Sequence, residues 1–382
     1  MTPAFISGTG LTAFGCHEGQ DTLDLMATAA QAALADAGLE RGQVDGLVTG
    51  YSTAMPHLML ATLFAEHLGL RPGYANALQL GGATGAAMVM LARLLVRSGQ
   101  CTHVLVVAGE NRLSHKGGRD QVIQTLAQVG HARHEVPFGA TIPAYYALLA
   151  EQYLSRTGAT DTDLAEIAVY MRTQAQDTPG AHLAEPMDRA AAMASRPIAT
   201  PLRLADCCPI SDGAAAFVVS ARPSEHGAVR IAGAGQAHRH QHVSAAMEWE
   251  NFGAGEAADR AFAEAGLDRG SVDILGIYDS FTVTLAMLLE ETGFAARGAT
   301  GREIAAGRFG RDALPLNTHG GLLSYGHPGV AGGMAHLVEV TRQMQRRAGD
   351  RQTASPARCG YVHADGGVLS AHVGLVLATD GG

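Results

Sequence analysis

Residues 33–47 read A-L-A-D-A-G-L-E-R-G-Q-V-D-G-L, and residues 261–275 read A-F-A-E-A-G-L-D-R-G-S-V-D-I-L. Ala33, Ala35, Ala37, Gly38, Leu39, Arg41, Gly42, Val44, Asp45 and Leu47 all recur at an offset of 228. Upstream, Ile6-Ser7-Gly8-Thr9-Gly10 is echoed by Ile231-Ala232-Gly233-Ala234-Gly235 at nearly the same offset. The chain is a duplication. Each copy reads as a strand ending in G-x-G, a helix closed by Gly38 or Gly266, a turn and a second strand.

Working outward, residues 85–98 give an apolar helix pattern followed by a strand over 102–108, matched in the second copy by 331–347 and a strand from Gly360. Strands alternating with helices predict an α/β fold with a largely parallel sheet covered on both faces. The halves divide as 1–222 and 223–382. Within the first, residues 111–200 carry helical patterns at 145–156 and 164–176 broken by Pro and Gly, which predicts an inserted cap over a ligand. The first half then closes with a strand over 214–220. G-T-G-L-T-A at 8–13 approximates a dinucleotide fingerprint, but Phe14-Gly15-Cys16-His17 separate it from a helix, and the repeat accounts for its glycines.

The 382 residues suffice for a large core, and 48 Gly with one Trp mark a small-residue α/β composition. A net charge of −9, without a basic run, argues against nucleic acid or an anionic membrane as partner. No charged segment followed by an apolar run opens the chain, which gives a cytoplasmic expectation. Cys16, Cys101, Cys207, Cys208 and Cys359 are odd in number and lack C-x-x-C spacing, so neither a disulfide framework nor a metal site is expected.

Residues 317–334 read N-T-H-G-G-L-L-S-Y-G-H-P-G-V-A-G-G-M and run into an apolar helix pattern. Glycines let backbone approach a ligand, and a helix N-terminus favours developing negative charge. This loop is similar to the one that thiolases of the sterol-carrier type carry around their catalytic His. The segments Pro201-Leu202-Arg203 and Asp212-Gly213-Ala214 extend the resemblance over nearly the whole chain. It implies a thiolase fold, with duplicated βαβαβαββ halves in an αβαβα layering, and gives His327 the thioester oxygen of an acyl-coenzyme A.

The resemblance breaks at the nucleophile. Where thiolases place a Cys, this chain reads Gly81-Gly82-Ala83-Thr84-Gly85, which puts Gly82 in its place. Where the second Cys precedes a glycine run, it reads His363-Ala364-Asp365-Gly366-Gly367. The N-E-A-F or H-D-x-F motif becomes Tyr278-Asp279-Ser280-Phe281, and Tyr325 stands two residues before His327. Either Tyr alone could be packing with a locally bonded hydroxyl; together, at two motif positions, they point to function.

Without Cys the acyl carrier is gone but an enolate site remains. A retro-aldol cleavage of a 3-hydroxyacyl-coenzyme A needs that remainder plus a base and an acid. Tyr278 and Tyr325 are assigned to that pair without ordering. Asp279, His319 and His363 are second-rank candidates, and Gly82, Asn317, Gly320 and Gly367 join His319 around the substrate. Arg133, His134 and Arg203 are candidates for the coenzyme A phosphates. The pattern resembles thiolase-like aldolases of bacterial steroid side-chain degradation. That implies a 17-hydroxy steroid acyl-coenzyme A releasing propionyl-coenzyme A, a homodimer, a small partner with a zinc ribbon and an OB-fold, and no cofactor beyond the coenzyme A of the substrate. An acyltransferase subunit of a larger complex and a non-catalytic acyl-coenzyme A scaffold remain as alternatives.

Overall fold

The computed structural model describes residues 2–246 and 248–379. The first half runs β1 (Phe5–Leu11), α1 (Thr22–Asp36), β2 (Gly46–Gly50), α2 (Leu60–Leu68), β3 (Tyr74–Leu78), α3 (Thr84–Arg97) and β4 (His103–Asn111). An inserted stretch follows with α4 (Gly118–Ala127), α5 (Ile142–Thr157), α6 (Asp161–Gln176), α7 (Arg189–Ala194) and the small pair β5 (Pro197–Ala199) and β6 (Leu202–Arg203), before β7 (Asp212–Ser220). The second half runs β8 (Arg230–His238), α8 (Ala254–Ala265), β9 (Ile274–Ile277), α9 (Thr282–Glu291), α10 (Thr300–Ala305), α11 (Gly321–Ser324), α12 (Val330–Met344), β10 (Cys359–Gly366) and β11 (Ala371–Ala378).

The strands lie in the order β3-β2-β4-β7-β1-β8-β11-β10-β9, with the halves meeting at Phe5 and Arg230. The order mirrors itself about that meeting point. One position departs from the mirror: the third strand of the second half is reduced to a bridge between Leu275 and Leu316. The expectation of a largely parallel sheet is corrected to a mixed one. β3, β2 and β4 are parallel, as are β9 and β10, while β7 and β11 run antiparallel to their neighbours. The turn at 367–370 joins β10 to β11 directly, and so short a connection permits only an antiparallel pair.

Side-chain alternation along β7 sets the layers. Ala214, Ala216 and Val218 face α1, while Ala215, Phe217 and Val219 face a core shared with α3 and α12. α12 packs on β4 and β7 of the first half and on β9 and β10 of the second, so α3 and α12 form the middle layer. α1 and α8 cover the outer faces.

The repeat is explained by contacts it makes twice. A Cβ at Gly8 or Gly10 would lie 2.3 or 2.0 Å from the carbonyls of Ala33 and Ala29, and at Gly233 or Gly235 2.0 or 2.1 Å from those of Ala261 and Ala257. The G-x-G pairs are therefore strand-to-helix packing positions, which removes the dinucleotide reading. Asp36 accepts from the Thr9 amide at 2.8 Å, and its counterpart Glu264 from the Ala234 amide at 3.0 Å. Asp45 accepts from the amides of Thr102 and His103, and Asp273 likewise from those of Arg358 and Cys359, so each acid anchors the start of a central strand.

Candidate active site

The two central helices begin close together. A Cβ added at Gly333 on α12 would lie 3.0 Å from the carbonyl of Gly82, which precedes α3. The end of β9 delivers Tyr278 to this point, and the loop before α12 delivers His327. Two helix N-termini facing one locus favour negative charge there.

Tyr278 is 4% exposed, and its hydroxyl lies 3.2 Å from His327 Nε2. A Cβ at Gly82 would fall 2.1 Å from that hydroxyl and 2.4 Å from the Asp365 carbonyl. The tyrosine hydroxyl thus fills the space into which a side chain at Gly82 would project. Burial, then the Asp365 carboxyl, push the Tyr278 pKa well above its ordinary value, against the nearby Arg112 guanidinium. The hydroxyl rests protonated.

Burial first, then the Arg112 and His336 charges, push the His327 pKa down to about 3. His327 is a neutral imidazole through the physiological range, able to donate one N–H to a thioester oxygen. Its backbone N–H donates to Ser211 Oγ at 3.1 Å, and His182 Nδ1 lies 2.8 Å from the same hydroxyl.

The other sequence-derived positions separate into different roles. Asp279 is fully buried, accepts from the amides of Leu322 and Leu323 at 2.8 and 3.2 Å, and lies 3.1 Å from His336 Nε2. It fixes α11 and with it the loop that carries His327. Asn317, at a φ of 44°, accepts from the Ile277 amide and donates to the Ile277 carbonyl, which brackets the end of β9. Tyr325 is buried against Phe14 and donates its hydroxyl to the Thr12 carbonyl at 3.1 Å, and burial raises its pKa. His319 packs between Tyr325 and His336. His363 lies between the Tyr361 hydroxyl at 2.8 Å and His372 Nδ1 at 3.2 Å on β10 and β11, while its carbonyl accepts from the Tyr278 amide. Gly320 begins α11, where a Cβ would meet Ala175, and the Gly367 carbonyl accepts from the Tyr146 hydroxyl. Arg133 and His134 are exposed beside His131, and Arg203 donates to the Ser195 carbonyl.

Sequence reasoning missed Arg112, Tyr51, Tyr146 and Asp365. Arg112 is buried and bonds to Glu110 Oε1 at 2.8 Å and to Thr53 Oγ1 at 3.1 Å. Burial works most strongly against its charge, but Glu110, by charge and by hydrogen bond, together with the neighbouring Tyr51 and Tyr278 turns the balance and the pKa is raised. Arg112 is thus a fixed cation within electrostatic reach of Tyr278, Tyr51 and His327. Cys208 also lies within electrostatic reach of Tyr278, yet burial holds its thiol well above the ordinary range and pushes Cys207 up to about 12. Neither presents a ready thiolate. Among the described residues no cluster of His, Cys, Asp and Glu is arranged to hold a metal ion, and no helix is long and apolar enough to cross a membrane.

The buried imidazoles make a testable statement about acid. Burial lowers the pKa of His372 to about 4, and of His319 and His363 well below 6.5, as it does for His327. Below pH 6.5 the unfolded chain binds protons that these rings refuse, so native stability falls as pH drops from 6.5 toward 4. Each such ring is expected to contribute about 2 kcal/mol of loss at pH 5. Urea midpoints from pH 7 to 4.5 check this, and His372→Gln is expected to flatten the slope.

Profiles described as Thiolase, N-terminal domain and Thiolase C-terminal domain-like match residues 4–187 and 235–379. An acetyl-CoA acetyltransferase of Methanothermobacter thermautotrophicus is 29% identical over 98% of this chain and 99% of its own. A 17-hydroxy-3-oxo-4-pregnene-20-carboxyl-CoA lyase of Mycobacterium tuberculosis is 33% identical over 87% of this chain and 91% of its own. Among solved structures, the Ltp2-ChsH2(DUF35) aldolase superposes with a TM-score of 0.86 at 30% identity, covering all of this chain and 98% of that one.

Proposed function

The chain belongs to the thiolase family, and from that premise we propose that it cleaves the carbon–carbon bond of a 3-hydroxyacyl-coenzyme A by a retro-aldol reaction, without a cysteine nucleophile. The observation that carries this reading is the Tyr278 hydroxyl, which occupies the space a side chain at Gly82 would need. A proton donor stands where an acyl carrier would stand.

In the reaction a base removes the 3-hydroxyl proton, the oxygen becomes a carbonyl, and the Cα–Cβ bond breaks. Its electron pair passes to Cα and the thioester oxygen as an enolate. The neutral His327 donates a hydrogen bond to that oxygen, between two helix N-termini that favour the charge. Tyr278 then protonates Cα. A phenol with a raised pKa is a weak acid, but a thioester α-carbon is a far weaker one, so this transfer runs downhill. Arg112 opposes the cost of the phenolate left behind. Asp279 and Asn317 hold the two loops in register, and Tyr325, tied to Thr12, positions the His327 loop.

The likeness to the lyase and the aldolase favours a bulky steroid side-chain thioester releasing a short acyl-coenzyme A such as propionyl-coenzyme A. The name of the solved aldolase joins Ltp2 to ChsH2(DUF35), which supports a small partner protein for this chain as well. Strand β3 ends the sheet with Ala75, Asn76 and Ala77 exposed, and this edge suits a homodimer contact. We place the chain in the cytoplasm.

Mass spectrometry of products from a tertiary 3-hydroxyacyl-coenzyme A, with and without a co-expressed partner, tests the reading. Equimolar ketone and shortened acyl-coenzyme A without added free coenzyme A are expected. Turnover that requires free coenzyme A would return the chain to the acyltransferase reading.

A further inference from the structure

Asp365 lies at the end of β10, and its backbone carbonyl borders the space over Gly82. The residue is 1% exposed. Its Oδ2 lies 3.0 Å from the Tyr146 hydroxyl, which also reaches the Gly367 carbonyl at 3.1 Å. Its Oδ1 meets no donor at hydrogen-bonding geometry among the described residues. A buried oxygen left without a partner is costly. Everything else around it is arranged with care: Tyr146 is itself fully buried, stacks on Phe281 at 4.3 Å, and is carried in from α5 of the inserted stretch. Oδ1 is therefore free to accept from a further donor.

We propose that the Asp365 carboxylate is the base that accepts the proton of the substrate's 3-hydroxyl at Oδ1, while Tyr146 holds Oδ2. This rests on the retro-aldol reading and names the group that reading lacks. Burial first, then the Glu291 charge, push the Asp365 pKa well above the usual carboxylate range, against the pull of Tyr146 and of the Leu369 and Gly366 amides. A carboxylate so raised is a stronger base than one in water. The O–H bond breaks to Asp365, the C=O bond forms, and the Cα–Cβ pair leaves as the enolate that Tyr278 protonates. The proton gained at Asp365 balances the one given by Tyr278, so no external acid, base or oxidant enters the sum.

Binding and cleavage can be read separately. Binding of propionyl-coenzyme A needs the assembled site but no base, whereas cleavage needs both. In the full chain with its partner, Asp365→Asn is expected to lower kcat for cleavage by about 100-fold or more, with KM within a few-fold. The Kd for propionyl-coenzyme A is expected to stay within about threefold of wild type, because binding makes no call on a base. Tyr146→Phe, which keeps the ring stacked on Phe281, is expected to lower cleavage by about tenfold and spare binding. Cleavage by Asp365→Asn at the wild-type rate overturns the assignment and leaves the retro-aldol reading standing. Loss of binding together with cleavage overturns it too, by marking Asp365 as structural. Wild-type protein that binds propionyl-coenzyme A but does not cleave a tertiary 3-hydroxyacyl-coenzyme A sinks the retro-aldol reading itself.

Discussion

Replacing Tyr278 by Phe is expected to lower carbon–carbon cleavage by roughly 10²- to 10⁴-fold, the range for loss of a positioned proton donor. The fall belongs in kcat with little change in KM, since the hydroxyl acts as the enolate forms and not as the thioester binds. Stability is expected to change by only about 1 kcal/mol, because the ring keeps its packing and one hydrogen bond, to His327, is removed. Steady-state kinetics beside a denaturant titration read both numbers. Cleavage within about threefold of wild type would remove Tyr278 from the chemistry and leave its hydroxyl as a packing feature.

Gly82→Ala is expected to be nearly as damaging through a different cause. Its methyl group would sit 2.1 Å from the Tyr278 hydroxyl and 2.4 Å from the Asp365 carbonyl, closer than any real contact, and one of these is backbone. Overpacking of this kind costs about 1–3 kcal/mol, and the ring must swing away from His327, so activity falls with stability. Adding Tyr278→Leu to Gly82→Ala is expected to recover part of the stability and none of the activity. A double-mutant cycle over the two positions would show that coupling. Additive effects would mean that the two groups do not share one space.

The duplication was legible because its contacts are made by residues close in sequence to the repeat: Gly8 and Gly10 against α1, Gly233 and Gly235 against α8, and the acids Asp36, Glu264, Asp45 and Asp273 at matched positions. Sheet direction was less legible. Alternation of strands and helices suggests parallel pairing throughout, whereas β7 and β11 both run antiparallel to their neighbours, and the shortness of the 367–370 turn signals this reversal for β11 alone.

In the site, a motif marks a loop without saying which of its side chains face the ligand. Asp279, Asn317 and Tyr325 belong to the same motifs as Tyr278 and His327, yet bond to backbone groups of their own neighbourhood. Tyr146 and Asp365 are 219 positions apart, joined by an inserted helix that no repeat or motif flags. The one available signal was the acid in H-A-D-G-G, directly before the glycine pair that stands beside Gly81.

The central claim is cleavage without a thiol, and the most direct test is the chain with Cys16, Cys101, Cys207, Cys208 and Cys359 all replaced by Ala, assayed for product stoichiometry with no free coenzyme A. The account predicts ketone and shortened acyl-coenzyme A in equal amounts, at a rate within a few-fold of wild type. Loss of turnover in this variant while it stays folded, or an acyl group found on a cysteine of the working wild-type protein, would contradict it.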